Sequence, residues 1–123
     1  MEKQVILIVE DDPNVGESIR LLLEKRGYSI LLASNGKEAL SLFRREMVDL
    51  VITDLVMPKM DGMALLEQVK KLRPETEVIV ISAQGTIEKA VQAMKMGAFD
   101  FIEKPINPKV IALVVERYYA RGH

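Results

Sequence analysis

No cysteine occurs in this chain, and histidine occurs once, as His123. The first absence excludes disulfides, zinc–thiolate sites and thiol catalysis. The second leaves a histidine-centred triad or metal site without its parts. A strong charge of either sign is missing too. The formal net charge is −1, so no broad field draws the chain to nucleic acid or to an anionic membrane, and any DNA contact has to come through a partner or a further domain. Nor is there a long apolar run. The N-terminal stretch MEKQVILIVEDD holds five consecutive apolar residues before acids intervene. That is neither a signal peptide nor a membrane span, and a cytoplasmic location is the default expectation. Internal repeats, low-complexity tracts and long linkers are absent as well.

What is present suits one compact domain over residues 1–123. Just under half of the residues, 49%, are apolar, and charges of both signs are spread along the chain, a globular profile. Two kinds of segment alternate. Short β-branched runs are Val5–Val9, Ser29–Ala33, Leu50–Thr53, Val78–Ser82 and Phe99–Ile102; they are apolar on both faces, as strands of a covered parallel sheet are. Helical patterns lie between them. The first places Val15, Ile19, Leu22 and Leu23 on one stripe, with Asp12 as cap, Pro13 in the first turn and Gly27 at the end. The second opens at Asn35 with Glu38 at capping-box spacing and buries Ala39, Leu40 and Phe43. The third runs from about Met63 to Leu72, buries Leu65, Val69 and Leu72, and stops before Pro74. The fourth buries Ile87, Val91 and Met94 and ends at Gly97, with Met96 assigned to an exposed apolar patch. The fifth starts at Asn107–Pro108 and runs almost to the C-terminus, so no further domain is expected in the chain. The order βαβαβαβαβα, with right-handed crossovers, predicts a flavodoxin-like (βα)5 three-layer sandwich around a parallel sheet of order 2-1-3-4-5.

In such a sheet, sites form beyond the C-terminal ends of the strands. The first strand ends in Glu10, Asp11 and Asp12, the third in Asp54, the fourth in Ser82, and the fifth runs into Lys104. Residues remote in sequence should therefore converge on one rim. Carboxylates held that close repel one another, so a cation should sit among them. All-oxygen ligands without histidine or cysteine indicate Mg2+ or Mn2+ rather than zinc. Asp54 is then placed to act as a nucleophile toward phosphorus, forming an aspartyl phosphate. Lys104 is the available point charge and Ser82 the available hydroxyl for the phosphoryl oxygens. Asp12 and Asp61 read as helix caps before they read as ligands.

The stretches VEDDP, TDLVMPKMDG, ISAQG and GAFDFIEKP, in this order and spacing, resemble the response-regulator receiver domains of two-component signalling. The closest resemblance is to receivers of nitrogen-regulation-type transcription activators. The resemblance implies that Asp54 is the phosphoacceptor. Asp11 and the backbone carbonyl of Val56 would be metal ligands, Glu10 a ligand through water, and Asp12 a further possible one. Ser82 would be the switch hydroxyl, Lys104 the phosphate-binding lysine followed by a cis bond to Pro105, and Phe101 the switch aromatic. Val56 and Gln84 would govern the lifetime of the phosphorylated state. A sensor histidine kinase or phosphotransfer protein would be the donor. The face of helix 4, strand 5 and helix 5 would meet the partner or output domain and is a candidate homodimer surface. Such receivers catalyse only their own phosphorylation and dephosphorylation, and usually precede an ATPase and a DNA-binding domain, neither of which is in this chain. It is thus either a single-domain regulator or a piece of a longer one.

Three other functions compete. A haloacid-dehalogenase-like phosphatase needs Asp-x-Asp after the first strand, which EDDPNV does not supply. A flavodoxin-like mononucleotide binder needs a phosphate-cradling loop where this chain is acidic. A phosphorylation-incompetent receiver acting as a binding module is opposed by the complete set of acids, hydroxyl and lysine.

Overall fold

The computed structural model describes residues 3–57, 59–83 and 87–121. Gln84 and His123 lie outside them. Ten elements alternate: β1 (Val5–Val9), α1 (Pro13–Lys25), β2 (Ser29–Ala33), α2 (Gly36–Arg45), β3 (Leu50–Asp54), α3 (Gly62–Leu72), β4 (Glu77–Ser82), α4 (Ile87–Lys95), β5 (Asp100–Glu103) and α5 (Pro108–Ala120). All pairings are parallel and the sheet order is β2-β1-β3-β4-β5. β5 begins one residue later than its apolar run, because the Phe99 N–H reaches Val78 O before the ladder proper starts.

Period-two alternation sends the strands' side chains to two cores. Ile6, Ile8, Leu50, Ile52, Ile79 and Ile81 pack with Ile19 and Leu23 of α1 and with Ile111 and Val115 of α5. Leu7, Val9, Val51, Val78 and Val80 face Phe43 of α2, Leu65 and Val69 of α3 and Ala93 of α4. The predicted caps hold. Asp12, Asn35, Asp61 and Asn107 accept from the N–H groups of Asn14, Glu38, Ala64 and Lys109 at 2.9–3.0 Å. The Glu38 carboxylate reaches back to the Ser34 N–H, one residue before the cap. At the end of the sheet away from the strand C-termini, Tyr118 donates its hydroxyl to Asp49 O at 3.0 Å, and Tyr119 stacks on Tyr28 with centroids 5.3 Å apart.

Four residues expected to be buried, on two helices, are exposed. Leu72 ends α3 exposed, and Leu66 takes the buried place. On α4 the stripe Ile87, Val91 and Met94 lies in solvent and only Ala90 and Ala93 are buried. The alanine line is roughly a quarter-turn around the helix from the larger residues. Small side chains let the helix axis come close to β4 and β5, and the bulky residues fall outside that contact. Met96 is exposed as expected. Val91→Ser should therefore change stability by less than about 0.5 kcal/mol, whereas Ala93→Leu should cost about 1–3 kcal/mol by overpacking. Chemical denaturation of the two variants checks this, and the reverse ranking would restore the stripe as core.

Candidate functional site

β1 and β3 are neighbours at the point where strand order reverses, and their ends carry the acids. Ligand oxygens of Glu10, Asp11 and Asp54 lie within 4.8 Å of one another. Glu10 and Asp54 are 4% and 3% exposed; Asp11 is open to solvent. The Asp54 carboxylate is held from two sides. Its Oδ1 accepts the Val56 N–H at 3.1 Å, and its Oδ2 accepts from Lys104 Nζ at 2.6 Å. The same ammonium stands 3.6 Å from Glu10 Oε1. The Lys104–Pro105 peptide bond is cis, as the resemblance implies.

Ser82 is 1% exposed and follows Ile81, the register partner of Asp54. Its Oγ has no hydrogen-bond partner among the described residues, a state that normally costs free energy. The Lys104 N–H donates to Ser82 O at 2.8 Å, tying hydroxyl and lysine to one backbone junction. Phe101, opposite Val80 in β5, is half-buried against the core and lines a cleft of about 560 Å³ with Val110, Leu113 and Arg117 of α5. Asp12 caps α1 and is not one of the three clustered acids. A groove of about 460 Å³ opens beside Lys104, between Val15, Ser18 and Leu22 of α1 and Pro105–Ile106.

Burial pushes the Glu10 carboxyl up to about 7, with Asp11 and Asp54 adding to it against the Asp12 N–H and Lys104. Burial pulls the Lys104 ammonium down, but the hydrogen bond and charge of Asp54, with the charges of Glu10 and Asp11, hold it above the ordinary lysine value. Three carboxylates against one ammonium, and a buried Glu10 Oε1 without a hydrogen bond among the described residues, fit a hard divalent cation. The donors are all oxygen, which suits Mg2+ or Mn2+.

The Glu10 shift has a sign. A carboxyl raised on folding contributes stability that is fully present below its ordinary 4.5 and is lost as pH climbs through about 7. Metal-free protein should therefore lose stability between about pH 5 and pH 8, and Glu10→Gln should flatten that decline. Thermal melts across the range in chelator check it; an unchanged slope in the variant would place the titrating group elsewhere.

The sequence reading missed the Val56 N–H as the clamp on Asp54 and missed why Gly62 follows Asp61. The Asp-Gly pair signalled a turn and cap, and Asp61 is one. Gly62 also lets the chain pass directly under Asp54. A Cβ there would lie 2.7 Å from Leu55 Cα and closer still to Asp54 O.

Comparison with known proteins bears on the family and the fold. The response regulator receiver domain family matches residues 6–116. The chain is 40% identical over 111 residues to the transcriptional regulatory protein GlrR of Escherichia coli K12, covering 90% of this chain and 25% of that protein. It is 40% identical over 114 residues to the putative response regulator NtrX-like of Rickettsia bellii, covering 91% and 24%. The chain thus spans about a quarter of the length of these curated relatives. Among solved structures, a receiver domain protein from Clostridium thermocellum superposes with a TM-score of 0.90 at 34% identity, covering 97% of this chain and 96% of that one. NtrX from Brucella abortus superposes with a TM-score of 0.89 at 36% identity, covering 94% and 27%. A match across nearly the whole chain, on the fold and strand order just described, means that this chain belongs to the response regulator receiver domain family.

Proposed function

We propose that residues 1–123 form a phosphorylation switch in which Asp54 accepts a phosphoryl group from a histidine kinase or phosphotransfer protein. The observation that carries this reading is the Lys104 ammonium at 2.6 Å from Asp54, within a cluster that also holds Glu10 and Asp11. Asp11, Asp54 and the Val56 carbonyl would hold Mg2+, with Glu10 acting through water. When bound, the metal neutralises charge on the rim and on the incoming phosphoryl oxygens.

The chain's own groups divide the remaining work. An oxygen of Asp54 attacks phosphorus; the new O–P bond forms as the bond from phosphorus to the donor's nitrogen or oxygen breaks, and the leaving group takes that electron pair. The Val56 N–H holds one oxygen of the carboxylate in place. Lys104 transfers its hydrogen bond from Asp54 to a phosphoryl oxygen, and Ser82, whose hydroxyl lacks a partner among the described residues, donates to another. The groove between α1 and Pro105–Ile106 is where the donor protein would rest. Once Ser82 and Lys104 are drawn to the phosphoryl group, Phe101 turns toward the space behind Ser82. It has no hydroxyl, so its inward state rests on packing alone. The α4–β5–α5 face then changes shape and with it affinity for a partner, an output domain or a second copy. The change selects between existing states and is limited by the differential contacts to phosphate. The same site hydrolyses the acyl phosphate in time, so the chain acts on itself and turns over no separate substrate.

The test is incubation with acetyl phosphate and Mg2+. Intact-mass measurement should find one acid-labile phosphoryl group per chain, absent in chelator. Steady release of phosphate from phosphomonoesters would favour a phosphatase instead, and no incorporation would favour a binding module.

A further inference from the structure

Helix α2 meets the chain leading into α3 at its first residue. Gly36, the first residue of that helix, is buried with the backbone of Met60 lying on it. A Cβ at position 36 would stand 2.9 Å from the Met60 carbonyl carbon, 2.9 Å from its Cβ and closer still to its oxygen. The obstacle is largely main chain, which cannot swing aside as a side-chain end can. Met60 has φ 67° and its neighbour Lys59 φ 50°. Residues with side chains take this region rarely, and hold it only where surrounding structure forces it.

From Met60 the described backbone leads straight to the acceptor. Asp61 caps α3, and the Gly62 N–H donates to Leu55 O at 2.9 Å. Leu55 follows Asp54 and precedes Val56, whose N–H grips the Asp54 carboxylate.

We propose that Gly36 is a positioning residue for the phosphoacceptor: by admitting the Met60 backbone, it fixes the β3–α3 connection so that Val56 and Asp54 face the acidic cluster. This rests on the reading of Asp54 as phosphoacceptor. Gly36 touches neither metal nor phosphate; it acts through Met60 and Gly62. Helix α2 thereby becomes part of the site's apparatus, although none of its side chains enters the site.

Three variants test the inference: Gly36→Ala, which crowds the contact; Met60→Gly, which loosens it without a clash; and Leu23→Ala, a core truncation in α1 on the other face of the sheet. Each is assayed for thermal unfolding, for Mg2+ dissociation constant by calorimetry, and for phosphoryl uptake from acetyl phosphate. Gly36→Ala should slow uptake by about 10-fold or more and weaken Mg2+ binding, since a shift of about 1 Å at a reacting group can cost 100-fold. Met60→Gly should move both quantities in the same direction by less. Leu23→Ala should lower the melting temperature and leave both unchanged. Should Gly36→Ala fail to fold, Met60→Gly decides. Wild-type Mg2+ affinity and uptake in Gly36→Ala and Met60→Gly, whatever their melting temperatures, would overturn the brace while leaving the acceptor reading intact. A wild-type chain that binds Mg2+ but takes up no phosphoryl group would overturn the acceptor reading, and the brace would then stand or fall on the Mg2+ constants of the two variants.

Discussion

An Asp54→Asn chain should fold and take up no acid-labile phosphoryl group from acetyl phosphate. Asparagine keeps the shape of the side chain and offers an oxygen to the Val56 N–H in place of Oδ1. What it lacks is an anionic oxygen: the amide is too weak a nucleophile to attack phosphorus, and it gives Lys104 no charge to pair with. The effect on folding should be small, within about 1 kcal/mol. Losing the 2.6 Å ion pair is offset by removing one of three clustered negative charges, and Lys104 retains Glu10 Oε1 at 3.6 Å. Mg2+ should bind more weakly, since one ligand charge is gone. Intact mass, calorimetry and a melting curve on one preparation separate these effects. Incorporation that persists at the wild-type rate would move the acceptor to another residue and sink the assignment.

A large loss of stability from a single methyl group is expected at Gly62. Gly62→Ala places a Cβ 2.7 Å from Leu55 Cα and 3.0 Å from Asp54 C, with Asp54 O nearer still. No rotamer change relieves a clash between a Cβ and main-chain atoms, so α3 must shift away or β3 must bend. A cost of about 3 kcal/mol is expected, which for a domain of this size lowers the melting temperature by roughly 10 °C or more. The variant should also weaken the Gly62 N–H bond to Leu55 O, so backbone amide exchange near the start of α3 should quicken before global unfolding does. A melting temperature within about 2 °C of wild type would show that the connection is far more pliant than this packing implies.

The sheet order, the helix caps and the rim of polar residues were legible because each rests on a local signal: β-branched runs, Asp or Asn before a helix, and a charged residue where an apolar strand stops. The burial of Glu10 and Asp54 beside an exposed Asp11 was not legible, since all three are acids at strand ends and only the fold sets their depth. The seat of α4 was misread for a related reason. Periodicity finds the most apolar line on a helix, and in α4 that line is Ile87, Val91 and Met94, whereas close approach to the sheet selects the smallest line, Ala90 and Ala93. In sequence Gly62 is only the glycine of an Asp-Gly turn, and Gly36 carries no signal of its own. The backbone each must admit comes from Asp54 and Leu55, or from Met60, and one-dimensional spacing does not reveal such a meeting.

Helix α4 seats on the sheet through the two buried methyl groups of Ala90 and Ala93, and its bulky residues stay partly in solvent. Its outer surface can thus be rewritten by mutation at little thermodynamic penalty. A chain built this way can change what that surface addresses without reworking its interior.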